Sequence, residues 1–265
     1  MMRNMALMLL LAACGCTPNV TISHNIRRAL PIVVEEGCTP GKRVEFGAAH
    51  RSGDDGGEKT EEYYSEVVNR TFAGWQRSNT LYYLRCSPLQ FVSFRAGMDD
   101  IGYCGDISLR YQKGPALGYI TTGVTLAEHG NNAGYHSYPR VTMGASVAPL
   151  AALRDSNDHA ALRLGLNVTW TKFPQWIDLT QTYYNHQIQA AASWAVHAVH
   201  RGEARMAQAI ASWSGRWLVI SGGFEHDFHI KEKAVHVNIS SQPPIIIDSW
   251  PADETRLLLR AGILF

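Results

Sequence analysis

The sequence predicts an all-β fold, a small antiparallel transmembrane β-barrel of roughly eight to twelve strands. Apolar and polar residues alternate with a period of two in one window after another, as in strands that have one apolar face. Segments rich in glycine, aspartate, asparagine and proline separate these windows and predict turns. The chain has 265 residues, 46% of them apolar, and its net charge of +1 offers no global attraction to nucleic acid.

The most regular window covers residues 162–171. Its even-numbered residues are all apolar, and its odd-numbered residues are polar or glycine. In the last window, residues 257–265, every odd-numbered residue is apolar, and the window ends on Phe265. A chain that ends on an aromatic residue after an alternating strand resembles the C-terminal signal of bacterial outer-membrane barrels. The resemblance implies a barrel with its apolar face turned to membrane lipid.

Residues 186–215 fit two interpretations. They are rich in alanine, which favours helix, and Ile188, Ala192, Ala195 and Val199 recur at helical spacing. A period of two fits the same stretch. If the stretch is helical, the chain is an α+β periplasmic lipoprotein with a soluble binding function, which is the alternative to the barrel.

Residues 1–13 have the features of a signal peptide. Arg3 precedes an apolar run, residues 5–13, that is too short to span a bilayer. The next residue is Cys14, and the sequence LAAC that it completes resembles the lipobox of bacterial lipoproteins. The resemblance implies cleavage before Cys14, lipidation of its thiol, and a lipid-anchored location in the outer membrane of a Gram-negative-type bacterium.

Residues 14–42 lack a sustained period and are broken by proline and glycine, so they predict a lipidated tether. The barrel domain is then expected to cover residues 43–265. Four cysteines remain besides Cys14, an even number that predicts two disulfides in an oxidising compartment, with their connectivity open. They are Cys16, Cys38, Cys86 and Cys104. Their spacing does not match a zinc site, and we predict no metal ligands among them.

His50 and Ser52 are the candidate catalytic pair. They lie two residues apart in the alternating window 44–52, so their side chains share one face of a strand, within reach of a hydrogen bond. That face is the apolar one, which in a membrane barrel faces lipid. A serine becomes a nucleophile when a base accepts its proton and a third group orients the base, and Asn69 is the candidate third group.

The residues around this pair resemble the outer-membrane phospholipase A family. The matching segments are His50-Arg51-Ser52-Gly53-Asp54 and, further on, residues 65–72 with the sequence SEVVNRTF. The resemblance implies a barrel of about twelve strands with a serine hydrolase site on its lipid-facing wall. It assigns Ser52 as nucleophile, His50 as base and Asn69 as the group that orients His50. It also implies activation by calcium and by formation of a homodimer.

The sequence leaves two functions open. The first is hydrolysis of membrane phospholipid by Ser52, His50 and Asn69, which would make the chain a serine-dependent lipid ester hydrolase. The second is a barrel without enzymatic activity that acts as a structural, pore or surface-interaction element. In both, the partner is membrane lipid, and nucleic acid is not a partner.

Overall fold

The computed structural model describes residues 20–28, 30–35, 43–52, 54–64, 67–76, 78–128, 135–148, 162–185, 190–231, 235–237, 245–247 and 255–265. These residues form β1 (Val20–Arg28), β2 (Val44–Ser52), β3 (Asp54–Tyr64), β4 (Val67–Gln76), β5 (Asn79–Leu89), β6 (Val92–Met98), β7 (Gly102–Lys113), β8 (Ala116–Glu128), β9 (Tyr135–Val147), β10 (Leu162–Asn185), β11 (Ala190–Ser214), β12 (Leu218–Lys231), β13 (Val235–Val237), β14 (Ile245–Ile247) and β15 (Thr255–Leu264). Within these ranges there is no helix long and apolar enough to cross a membrane.

The chain divides into two compact units. The first comprises the described residues of Met1–Arg27, Gly56–Trp75 and Trp176–Ala198. In it, β1 pairs antiparallel with β3, and β4 follows β3 in the sheet. The second unit comprises the described residues of Arg28–Asp55, Gln76–Gln175 and Val199–Phe265. Strands β10 and β11 contribute residues to both units.

The second unit is a closed β-barrel of ten strands. Around the barrel the order is β2, β5, β6, β7, β8, β9, β10, β11, β12 and β15. Pairing of β15 with β2 joins the last strand to the first, and pairing of β10 with β11 completes the ring. The predicted all-β barrel of eight to twelve strands is therefore confirmed.

The helical alternative for residues 186–215 is wrong where the structure describes them, because residues 190–214 are strand β11. This strand pairs with β12 from Glu203 opposite Lys231 to Ser214 opposite Val219, with one register shift between Arg205 and Met206. Alanine is compatible with both periods, so the local sequence did not decide between them. Backbone pairing with two neighbouring strands overrides alanine's helix propensity here.

The hairpin that connects β7 to β8 is short. Residues 113 and 116 pair across the two residues Gly114 and Pro115, which connect β7 to β8. Gly114 has a φ of 58°, and type II′ turns place glycine at this first central position because a positive φ carries no Cβ penalty there. The turn thus explains the tight β7–β8 hairpin.

The outer face of the barrel is apolar. Along β15 the side chains alternate strictly between exposed and buried, with the leucines and isoleucine at 257, 259 and 263 outside and the arginines at 256 and 260 inside. In β10, Leu166 is 68% exposed while Asn167 is buried. A water-soluble barrel has the opposite arrangement, with apolar residues inside. The predicted apolar face of residues 162–171 is confirmed, and it lies on the outside.

The barrel lumen contains residues 30–35, which we call the luminal segment. They belong to no strand, and Leu30, Ile32, Val33, Val34 and Glu35 are all buried. Ile32 and Val34 pack in one cluster with inward residues of β2, β5 and β7, while Leu30 and Val33 pack in another with residues of β10 and β11. The range predicted as a tether thus contains strand β1 and a segment buried inside the barrel.

Candidate functional site

His50 and Ser52 lie on the outer face of β2, as the alternation predicted. Both are half-buried, and Val44 and Phe46 are exposed on the same face of the strand. The hydrogen bond described for His50 joins its Nδ1 to Oγ1 of Thr80, at 3.0 Å, on the neighbouring strand β5. The structure therefore brings the two residues to one face, with the histidine bonded to a threonine rather than to Ser52.

Asn69, the expected third member of the triad, lies on β4. Its side chain is outside the part of the chain that the structure describes. The Ser52, His50 and Asn69 triad stays a prediction.

Cys86 and Cys104 point to opposite faces of the barrel wall. Cys86 is exposed on the outside of β5, and Cys104 is buried on the inside of β7; both are free thiols. Two predicted disulfides are therefore not supported, since the described residues contain none. Cys14, Cys16 and Cys38 lie outside the described ranges.

The described residues contain no group of three or more histidine, cysteine, aspartate or glutamate side chains placed to hold a metal ion. Asp99, in the turn between β6 and β7, accepts hydrogen bonds from the backbone N–H groups of Ile101 and Gly102, at 2.9 and 3.1 Å. Its carboxylate thus stabilises the turn by accepting hydrogen bonds from the backbone. Burial raises the pKa of Asp99, although these two N–H donors lower it. The predicted calcium requirement stays a prediction.

A buried polar network lies inside the barrel. A first cluster centres on Glu45 of β2, which is fully buried between two arginines. Arg260 of β15 donates from Nη2 to both carboxylate oxygens, at 2.6 and 2.8 Å, and Arg85 of β5 donates to Oε2 at 3.2 Å. The Tyr83 hydroxyl donates to Oε1 at 2.5 Å. One carboxylate thereby links three neighbouring strands.

A second cluster centres on Asp106 of β7. Arg95 of β6 donates from Nε to Oδ2 at 2.8 Å and also bonds the same oxygen through Nη2. Arg140 of β9 donates to Oδ1 from Nε at 3.0 Å and from Nη2 at 2.5 Å. Asp106 occupies the position where a Cβ of Gly123 would lie. A glycine at 123 is therefore required for the carboxylate to reach both arginines.

A third cluster involves Glu225 and Asp227 of β12. Arg51 donates to Glu225 at 3.4 Å, and Arg256 forms an ion pair with Asp227. Gln208 of β11 donates to the second oxygen of Glu225 at 2.8 Å. All of these side chains are buried, so their charges are compensated by one another rather than by water.

Side chains of these clusters also bind the backbone of the luminal segment. Four of its carbonyl groups accept hydrogen bonds from inward side chains of the barrel. The pairs are Arg51 to Leu30 at 2.8 Å, Gln208 to Val33 at 3.4 Å, Arg95 to Val34 at 3.1 Å, and both Arg85 and Arg260 to Glu35 at 2.9 Å. Because Leu30 is bonded at the Arg51 end of β2 and Glu35 at the Glu45 end, the segment runs antiparallel to β2.

Sequence reasoning missed the luminal segment and its ligands. Residues 30–35, with the sequence LPIVVE, form an apolar run inside the range predicted as a tether, and that run was an available signal of burial. The arginines were visible as the polar positions of alternating windows. Their carboxylate partners were not predictable, because Glu45 and Arg260 lie 215 residues apart.

Comparison with known proteins adds little to this geometry. No protein-family model matches the chain, and no curated protein matches it. Among solved structures, the chain is similar to the anion-selective porin from Comamonas acidovorans, with 9% sequence identity and a TM-score of 0.24, over 94% of this chain and 99% of the porin. A likeness this low carries no argument about function.

Proposed function

We propose that this chain is an outer-membrane β-barrel protein without enzymatic activity, with its lumen filled by its own residues 30–35. The observation that carries the proposal is the reversed polarity of the barrel. Its arginine and carboxylate clusters are buried inside, and many of its large apolar residues are exposed outside. An apolar surface that encircles a protein is covered by a membrane or by another apolar surface.

Aromatic residues near both ends of the exposed face support a membrane location. On β7, Tyr103 and Tyr111 lie at the two ends of the outward row, with Ile107 and Leu109 between them. Eight residues of strand measure about 27 Å, or about 20 Å in height for a strand tilted by about 40°. That height is comparable with the apolar band of about 25 Å that membrane barrels expose between their aromatic girdles.

The hydrolase hypothesis has less support. The pair His50 and Ser52 does face outward, where a lipid substrate would be, but the described bond of His50 joins Nδ1 to Thr80, and none joins the imidazole to Ser52. A general base must be able to accept the proton of the nucleophile. The buried charged clusters, in contrast, can stabilise the barrel without any enzymatic role, because they join strands that are distant in sequence.

Reconstitution into lipid vesicles tests the membrane proposal. The purified protein should float with vesicles and resist extraction by alkaline carbonate. Trp217 is exposed at the barrel end and should be quenched by vesicle lipids with brominated acyl chains. The matched Trp217→Phe variant should lose that part of the quenching while still floating. A protein that stays in the aqueous fraction contradicts the proposal.

A further inference from the structure

We infer that the lumen is an anion-conducting pathway that the luminal segment closes, so that withdrawal of residues 30–35 opens the barrel. The inference rests on the proposed membrane location. It concerns the interior of the barrel, which that proposal leaves without a function. Three observations carry it: how the segment is bound, what remains when it leaves, and the charge of the wall.

The segment is bound as a peptide ligand rather than as a strand of the wall. It forms no ladder with a neighbouring strand, and its five described carbonyl bonds all come from side chains. Pro31, its second residue, has no backbone N–H with which to join a ladder. Closure of the barrel depends on the pairing of β15 with β2 and of β10 with β11, in which the segment takes no part.

The arginine side chains that bind the segment are also paired with carboxylates of the barrel wall, and these ion pairs remain if the segment leaves. Arg85 and Arg260 are paired with Glu45, and Arg95 is paired with Asp106. Water can replace a peptide carbonyl as an acceptor for each of them. Withdrawal therefore leaves a charged, paired wall that water can hydrate.

The remaining wall carries more positive than negative charge. Among the described residues of the barrel strands, eight buried arginines face the lumen against four buried carboxylates. The arginines are Arg51, Arg85, Arg95, Arg110, Arg140, Arg163, Arg256 and Arg260, and the carboxylates are Glu45, Asp106, Glu225 and Asp227. A fifth carboxylate, Glu35, belongs to the segment and leaves with it.

Arginine excess in a narrow, low-dielectric passage favours anions over cations. A barrel of eight strands is just filled by its own side chains, so ten strands leave room for one extended peptide in addition. The space that residues 30–35 vacate is then a passage for small inorganic anions such as chloride.

The first experiment is conductance in planar lipid bilayers with potassium chloride. The double variant Val33→Lys and Val34→Lys places two charges in the two apolar clusters and beside the arginines, which should expel the segment. Its matched control, Val33→Ile and Val34→Ile, keeps the segment apolar. We expect channel openings of the lysine variant to be at least tenfold more frequent than those of the wild type and of the control. The reversal potential of the current in a salt gradient should show selectivity for chloride over potassium.

The second experiment locks the segment in place. Val34 and Cys104 belong to the same buried cluster, so Val34→Cys should form a disulfide with Cys104 when the other cysteines are replaced by serine. Openings should occur under reductant and stop under oxidant in the same molecule. Openings that persist in the oxidised, cross-linked protein would overturn the inference.

The outcomes separate the inference from the proposal beneath it. A lysine variant that floats with vesicles but does not conduct refutes the pathway and leaves the membrane barrel intact. A cation-preferring current refutes the charge argument. A wild-type protein that does not float refutes the membrane location, independently of conductance.

Discussion

Arg260 on β15 donates hydrogen bonds to both carboxylate oxygens of Glu45 on β2, at 2.6 and 2.8 Å, although 215 residues separate the two side chains in the chain. The two strands pair antiparallel, with Leu264 opposite Glu45, and this pairing joins the last strand of the barrel to the first. Arg260 also donates from Nη1 to the carbonyl of Glu35 at 2.9 Å. Arg260 therefore contacts both β2, with which β15 pairs to close the barrel, and the luminal segment.

Replacement of Glu45 by alanine should strongly destabilise the barrel. It leaves Arg85 and Arg260 buried without their shared counter-charge, and removal of one partner of a buried ion pair costs about 3 to 5 kcal/mol. Guanidinium unfolding of the detergent-folded protein measures the change. Glu203→Gln is the control, since Glu203 is partly exposed and its described pair with Arg205 is 4.0 Å long. Equal losses in the two variants would contradict the role of Glu45.

Gly123→Ala should disrupt the Asp106 cluster. A Cβ at this position would collide with the Asp106 carboxylate and displace it from Arg95 and Arg140. We expect a loss of about 2 kcal/mol or more, the scale of a broken buried charge network. Gly118→Ala on the same strand meets no atom within 4 Å and should be tolerated. Unfolding midpoints of the two variants, measured side by side, decide the matter; a Gly123→Ala barrel as stable as Gly118→Ala would rule out this packing.

Leu166→Arg should impair insertion into membranes. Leu166 is 68% exposed on the outer face, and an arginine facing the middle of a bilayer costs about 2 to 4 kcal/mol. Leu166→Ala removes the same side chain without adding charge and should insert almost normally. Folding yield in lipid vesicles is the measurement. Similar yields for arginine and alanine would show that this face does not contact lipid.

Phospholipid hydrolysis should be absent. Purified protein incubated with phospholipid micelles and calcium is expected to release no more fatty acid than the Ser52→Ala variant, because no described hydrogen bond joins the imidazole of His50 to Ser52. His50→Ala serves as a second control, since it removes the candidate base. A calcium-dependent release that both variants abolish would instead establish the hydrolase that the family resemblance implies.

The amino-acid sequence by itself determined the strands and their outward faces. Alternation in residues 162–171 and 257–265 predicted which side chains share a face, and Leu166 and Leu259 are indeed exposed on the outside. This success has a local cause, because strand geometry places every second side chain on the same face. The position of His50 and Ser52 on one outer face followed from the same rule.

The tertiary structure alone decided the rest. Alanine-rich β11 became a strand because β12 pairs with it along twelve residues, a contact that no period in its own sequence reveals. The burial of residues 30–35 and the pairing of Glu45 with Arg260 depend on strands that are far apart in the chain. Which arginine compensates which carboxylate follows from closure of the ring, because a buried charge is stable only beside the partner that closure brings to it.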